Sequence, residues 1–555
     1  MHAHAAQPAL PPLSPGGSQP LFEYKRHEPE KTDLFGIVSQ HLEAFLTHAR
    51  ETYARPLPRY VERELRAYLR CGQLREGFTR VRCPRCRHEF LVAFSCKGRG
   101  LCPSCSARRM TATAAHLALK VFPDVAVRQW VLSLPYELRG LLAAKAPVLS
   151  CVLRLFLRMV TAWYERAAKQ AGLADAKTGA VAFPQRFGGS LNLNVHFHVV
   201  FLDGVFAKNT DGKLAFHPLQ APSQTEIATV VADLGRRVKN LLRRRGLLRN
   251  KPVDAENQDQ SALDACMQAG LSRGEFRRLD DRDAPPNEDA PFDNKKRSPW
   301  SAELDGFSVH AGVRMRQGDA QGRERLLRYC ARPSLSLERL SVLRDGTIAY
   351  RVKYPKRNGR THLVMTPLQF MARLAALVPP PRIPLVRYSG VLAPASKWRA
   401  EIVPHDRETK CNHEAPDAEP APRTERPSPG TGTSRAHENA PPSRDKFAGR
   451  TSTSYIDWAT LMKHGVGIDV LSCPRCEGRL KPIGVITEPD VIEKILVHLN
   501  LPLRPEQLHD GMTIVYDVTG EPVFDEVWSA ESEEWAEARG PPGAWDGVDA
   551  PSPCE

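Results

Sequence analysis

The alternation of apolar and polar positions is sharpest at Leu191-Asn-Leu-Asn-Val-His-Phe-His-Val-Val-Phe201. Leu191, Leu193, Val195, Phe197, Val199 and Phe201 are apolar, and Asn192, Asn194, His196 and His198 fall between them. Period two marks a β-strand, whose successive side chains face opposite ways. One face suits burial under helices, and the other presents two imidazoles able to reach one metal ion. Elsewhere apolar residues recur at three and four, the helical period. That pattern predicts a helix from about Asp33 (Leu34, Ile37, Val38, Leu42, Phe45) to the Pro56/Pro58 break, and another from Pro58 to Cys71. Residues 111–175 read as mainly helical, with a wide stripe through Leu149, Val152, Leu153, Phe156, Val160 and Trp163.

Further strands are predicted over Ala180–Phe187 and Phe307–Met315, and a long helix over Thr225–Leu248. Glu324–Arg332 reads as a helix stopped by Pro333, since proline disfavours the α conformation in the residue before it. Thr347–Tyr354 and Thr361–Thr366 form a hairpin around an Asn358-Gly359 turn. Thr366-Pro367 is a good start for a helix to about Val378. The pattern sets boundaries as well. Residues 1–21 are expected to be disordered, 22–115 to form a helical, cysteine-bearing domain, and 116–400 the main body, with a mobile insertion at about 250–300. Residues 405–452 read as a disordered linker, 453–505 as a small C-terminal module and 506–555 as an acidic tail.

Charge changes this picture. The chain of 555 residues carries +15, but 506–555 hold thirteen acids against one base, a balance of −12, leaving +27 on the first 505 residues. A body that basic points to a polyanionic partner. No signal peptide and no apolar run long enough to cross a bilayer is evident, so a cytoplasmic location is expected.

The cysteines add a metal. Cys83-Pro-Arg-Cys86 and Cys102-Pro-Ser-Cys105 are two knuckles separated by fifteen residues. They are expected to share one structural Zn²⁺ in a tetrahedral thiolate shell. Cys71, Cys96 and His88 are surplus and could replace a ligand or serve a second ion. The lone Cys473-Pro-Arg-Cys476 is half a shell, open to holding no metal or sharing ligands with another segment. Lys97, Arg99, Arg108 and Arg109 give the knuckles a basic rim suited to phosphates, and Lys356 and Arg357 make the hairpin basic.

Three motifs in order carry a family resemblance: Ser95-Cys-Lys-Gly-Arg-Gly-Leu-Cys-Pro-Ser-Cys105, then Gln185-Arg-Phe-Gly188 with Asn194-Val-His-Phe-His198, then Arg328-Tyr-Cys-Ala-Arg-Pro333. The chain resembles the rolling-circle transposases of the insertion-sequence 91 family, within the His-hydrophobic-His (HUH) single-strand endonucleases. The resemblance spans roughly 30–395, with a weaker match at 455–502. It implies an α+β fold with an HUH endonuclease-like antiparallel sheet and flanking helices. It implies that His196 and His198 hold Mg²⁺ or Mn²⁺ and that Tyr329 is the nucleophile. Gln185 is the candidate third ligand and His310 a weaker one. Many members carry a second tyrosine four residues on, where this chain has Pro333, so a single-tyrosine enzyme is expected.

The chemistry needs these residue types. Cutting DNA while conserving bond energy requires a covalent intermediate. A phenol of pKa near 10 is a weak nucleophile at neutral pH. A divalent ion that polarises the phosphate, with Arg328 and Arg332 beside the tyrosine, offsets that weakness. The expected partners are single-stranded DNA at transposon ends and target DNA, in a nucleoid-associated bacterial protein with no membrane role. One rival is a plasmid replication initiator or relaxase of the same chemistry, against which the N-terminal zinc module argues. Another is a non-catalytic zinc-ribbon DNA-binding regulator, which would have no need of His196, His198 and Tyr329. A third, a cupin-like small-molecule enzyme, leaves the +27 unexplained.

Overall fold

The computed structural model describes residues 24, 26–247, 260–272, 274–277, 298–352, 359–404 and 469–501. The predicted disordered N-terminus, the 405–452 linker, the acidic tail, Lys356 and Arg357 lie outside the described residues.

The chain begins with helices α1 (Asp33–Thr52) and α2 (Arg59–Leu69), strands β1 (Phe78–Arg82) and β2 (Glu89–Ala93), and helix α3 (Pro103–Lys120). Thr32 caps α1 by accepting from the Phe35 amide at 3.3 Å. Then come β3 (Val127–Ser133), α4 (Tyr136–Ala144), α5 (Ala146–Gln170), β4 (Gly179–Phe187), β5 (Leu193–Leu202), and the ribbon β6 (Gly204–Lys208) with β7 (Leu214–Pro218). Helices α6 (Gln224–Arg244) and α7 (Ala262–Leu271) follow, then β8 (Glu275–Arg277), β9 (Ser301–Leu304), β10 (Phe307–Met315) and α8 (Ala320–Cys330). The body closes with β11 (Leu340–Val342), β12 (Ile348–Arg351), β13 (His362–Met365), α9 (Pro367–Leu377), β14 (Arg387–Gly390) and α10 (Arg399–Ile402). The last described segment holds β15 (Lys481–Ile486) and α11 (Pro489–His498).

The central antiparallel sheet runs β14-β4-β5-β3-β10-β9. Every residue of β5 is buried, so both faces are covered. Leu193, Val195, Phe197, Val199 and Phe201 face a core shared with α5 and α6. Val200 and Leu202 face a second core containing Ala114 and Leu117 of α3 and Leu326, Leu327 and Cys330 of α8. His196 and His198 share the parity of that second face. Helix α9 carries a capping box, with the Gln369 amide donating to Thr366 and the Thr366 amide to the Gln369 side chain.

Four expectations are corrected. Residues 127–133, read as helical, form the fully buried strand β3. A short apolar run carries no clear period, and pairing on both edges decided its form. Residues 260–277, placed in a mobile insertion, are ordered. Ala262, Cys266, Met267 and Gly270 are the buried positions of α7, and a Cβ on Gly270 would lie 3.2 Å from Leu193 and 3.3 Å from Ala376. The boundary expected at 115 falls inside α3, which runs from the cysteines into the second core. Finally, α5 is long and apolar enough to cross a membrane. Its face from Val148 to Ala168 instead packs into the first core.

A buried ion network ties three strands together. Arg128 of β3 grips Asp203, just past β5, at 2.8 and 3.1 Å, and Arg314 of β10 reaches the same carboxylate at 2.5 Å. Asp203 is 1% and Arg128 3% exposed, so neither has water to replace its partner. Asp203→Ala should therefore cost about 3–5 kcal/mol of unfolding free energy in urea titration.

Candidate active site and metal centres

The histidine pair is set by register. Within β4 and β5, Gln185 lies opposite His196 and Phe183 opposite His198; on the other side Ser133 and Val131 of β3 occupy those positions. Directly opposed residues share a face, so Gln185 and the two histidines point the same way. The imidazole centroids are 4.9 Å apart. His196 Nδ1 lies 2.9 Å from the Asn194 carbonyl oxygen, a contact in which it can only donate, which leaves Nε2 with its lone pair. His198 Nδ1 lies 2.9 Å from the Gln129 amide nitrogen, which also lies 3.1 Å from Cys330 Sγ. Burial pushes the His196 imidazole down to about 4 and His198 well below the usual value. Arg332 lowers both and Arg139 adds to the shift at His196. Both rings are therefore neutral, the form that binds a metal.

Helix α8 lies over this cluster. The rings of Tyr329 and His198 are 5.6 Å apart and nearly perpendicular. Tyr329 is 4% exposed and faces the sheet. The Arg332 guanidinium lies over the Tyr329 ring at 5.0 Å and over Phe187 at 5.5 Å. Arg328 is paired to Glu324 at 2.7 Å. The Gln185 amide donates to the Cys330 carbonyl at 2.8 Å, joining β4 to the end of α8. His310 faces Val131 across the β3–β10 pair. That puts it two strands from His198, roughly 10 Å at ordinary strand spacing. Among the described residues, no group of three or more His, Cys, Asp or Glu able to share an ion includes His196 or His198.

A cleft opens beside this cluster. It is lined by Gln185, Cys330 and Arg332 on one side and by Arg99, Gly100 and Arg109 on the other. Arg99 and Arg109 also hold their own loops. Arg99 donates to the Ile383 carbonyl, and Arg109 donates to those of Gly98 and Lys97 at 2.9 Å each. Lys97 and Arg108 are exposed. A groove between α5 and α6, lined by Arg154, Arg158, Arg236, Arg237, Arg244 and Arg245, was not anticipated. Arg244 and Arg245 belong to a run of three arginines with Arg243, whereas the others come together only through the packing of α5 on α6.

The cysteines do not group as expected. Cys102 and Cys105 join Cys71 and Cys96, while Cys83 and Cys86 join Cys473 and Cys476. In the first set Cys71–Cys105, Cys96–Cys105 and Cys71–Cys102 are 3.7, 3.5 and 3.6 Å apart at sulfur. In the second, Cys83–Cys476 and Cys86–Cys473 are each 3.5 Å. A tetrahedral zinc with bonds of about 2.3 Å needs sulfurs ~3.8 Å apart. Both sets fit that chemistry. The reason for the regrouping is local. Cys102 is the N-cap of α3, which pins the 102–105 knuckle beside the end of α2, where Cys71 lies. Cys83 leads out of β1 to the opposite end of the hairpin. Backbone amides of Cys86 and Arg85, with neighbouring thiols, lower the Cys83 thiol to about 6, toward the thiolate that zinc binds.

With this geometry in view, a family model described as "Putative transposase" matches residues 179–399, which hold β4, β5, β10 and α8. A model described as "Transposase zinc-binding domain" matches residues 37–134. No curated protein and no solved structure gives a match. The zinc-binding match and the cysteine clusters support structural zinc.

The buried imidazoles make a pH prediction. The folded chain keeps His196 unprotonated down to about 4, while the unfolded chain protonates it near 6.5. Stability is therefore lost as pH falls through that window, by roughly 3 kcal/mol for this residue. Without added divalent ion, His196→Gln should flatten the decline measured in urea between pH 6.5 and 4.

Proposed function

The chain belongs to the insertion-sequence 91 family of transposases on its two family matches, and from that premise we propose that it cuts and rejoins single-stranded DNA with Tyr329 as nucleophile and His196 and His198 as ligands to Mg²⁺ or Mn²⁺. The observation that carries this reading is the contact of Tyr329 with His198 across the α8–sheet interface. Residues 131 positions apart in sequence meet there, one a phenol and the other half of a neutral imidazole pair.

The residues suit a divalent ion. His196 has a free lone pair at Nε2 as its hydrogen bond to Asn194 requires. A half-turn of the Gln129 amide would let its oxygen accept from His198 Nδ1, giving His198 the same form. Gln185 stands opposite His196 on the same face, its amide nitrogen held by the Cys330 carbonyl and its buried oxygen without a hydrogen bond among the described residues, and is the proposed third ligand. The bound ion would polarise the scissile phosphate and offset its charge.

The chain's own groups do the rest. The Tyr329 oxygen attacks phosphorus, an O–P bond forms, and the bond to the 3′ oxygen breaks. The phenol loses its proton and the departing oxygen gains one, giving a 5′-phosphotyrosine and a 3′-hydroxyl. Attack by a 3′-hydroxyl of another strand reverses the step and joins new DNA, so no nucleotide triphosphate is needed. Arg332, stacked on Tyr329 and lining the cleft, is placed to hold the phosphate. Arg99, Arg109, Lys97 and Arg108 would hold backbone phosphates on the zinc-module side, with Arg328 beside the nucleophile; Lys356 and Arg357, outside the described residues, are further candidates for phosphate contacts. The arginine groove between α5 and α6 offers a second track for the strand. Position 333, past the end of α8 at Cys330, is a proline, so the mechanism is written with Tyr329 as its one nucleophile.

Labelled single-stranded oligonucleotide from a transposon end, incubated with Mn²⁺, should give a protein–DNA adduct stable in denaturing gels. Tyr329→Phe should abolish the adduct while leaving binding within a few-fold. Arg332→Ala should lower the rate by about tenfold to a hundredfold, on the scale of losing one charge-assisted contact. Binding with no adduct from the wild type would favour the non-catalytic regulator instead.

A further inference from the structure

We propose that Cys83, Cys86, Cys473 and Cys476 form a second zinc centre whose two halves come from opposite ends of the chain. The zinc-binding family match ends at 134 and so leaves Cys473 and Cys476 unassigned. The cysteines that meet are 387 and 393 residues apart in sequence.

The two knuckles are the same structural unit. In the first, the Cys83 amide donates to the His88 carbonyl at 2.8 Å and the Arg87 amide to the Cys83 carbonyl at 2.9 Å. In the second, the Cys473 amide donates to the Gly478 carbonyl at 2.8 Å and the Glu477 amide to the Cys473 carbonyl at 2.9 Å. Arg87 has φ 60° and Glu477 φ 58°. Both are left-handed positions that a non-glycine residue adopts only when its surroundings require it. Arg82 pairs with Glu89 across the first knuckle and Ser472 bridges Arg479 across the second, at the same spacing. Cys-Pro-Arg-Cys is common to both. Two such turns facing each other make the paired-knuckle shell of a zinc ribbon.

The approach of the halves is close and specific. A Cβ on Gly478 would stand 3.1 Å from Cys83 Sγ and 3.2 Å from Cys476 Sγ, so a side chain there would push the halves apart. Arg85 Nη1 donates to the Cys476 carbonyl at 3.3 Å. Strand β15 extends the β1–β2 hairpin, with Phe78 opposite Ile486 and Arg82 opposite Lys481. Ile492 and Leu496 of α11 bury against Phe78, with Leu74 and Leu91 packed alongside. This core is small, and a bound Zn²⁺ supplies what so few apolar side chains cannot. The zinc module is therefore completed only when residues 469–501 return to it, and the ion clasps that segment to the N-terminal ribbon.

The test is zinc content of the full-length protein, measured by plasma mass spectrometry after passage over a chelating resin. The count is made without DNA, so it stands apart from the cleavage reading. The expected result is two zinc ions per chain in the wild type, and one in both Cys473→Ser/Cys476→Ser and Cys83→Ser/Cys86→Ser. Cys476→His, which keeps a zinc ligand, should restore the count to two when compared with Cys476→Ser. A wild-type count of one, or a count of two or zero in Cys473→Ser/Cys476→Ser, would overturn the proposal.

Discussion

The antiparallel pairing of β4, β5 and β3 is the constraint on which the site depends. Register alone places Gln185 beside His196, and it sets His198 within reach of Gln129 from the adjoining strand. A slip of one residue would turn both imidazoles into the core under α5 and α6 and expose Phe197 and Val199 on the other face. The register is held by the odd-numbered apolar set of β5 and by the Arg128–Asp203–Arg314 network at the far end of the same strands. Burial then does the chemistry's preparatory work by keeping the imidazoles neutral. Helix α8 adds Tyr329 because Leu326, Leu327 and Cys330 anchor its apolar face in the core on that side of the sheet.

Much of this was legible in the sequence, and for physical reasons. The histidine strand announced itself because its two faces differ in polarity. Helices α1, α2, α6 and α9 carry strong periods and clear starts, such as Thr366-Pro367. Strand β3 did not, since it is buried on both faces and carries no alternation, and with it Gln129 went unnoticed. Helix α7 was missed because a polar, charged neighbourhood outweighed four small or apolar residues, of which Gly270 lies against Leu193 and Ala376.

The cysteines show a different limit. Spacing identifies a knuckle but does not say which other knuckle it meets. Cys83-Pro-Arg-Cys86 and Cys102-Pro-Ser-Cys105 are neighbours in sequence, yet a β-hairpin and a helix start send them to separate shells. Cys71, Cys96, Cys473 and Cys476, surplus in a one-shell reading, complete the two. The first shell fixes the loop from 96 to 102 against the main body, where Ser334 donates to the Gly100 carbonyl at 2.8 Å. The zinc module thereby forms one wall of the cleft whose other wall is Gln185 and Arg332.

The central claim is that the imidazole pair and the phenol converge on one phosphate. Electron–nuclear double resonance on Mn²⁺ in the complex of Tyr329→Phe with a single-stranded end oligonucleotide tests this most directly. Couplings from two ¹⁴N nuclei and one ³¹P nucleus, with the nitrogen signals removed in a His196→Ala/His198→Ala background, are the result expected here. A spectrum with phosphorus but no nitrogen coupling, unchanged by the histidine substitutions, would contradict it.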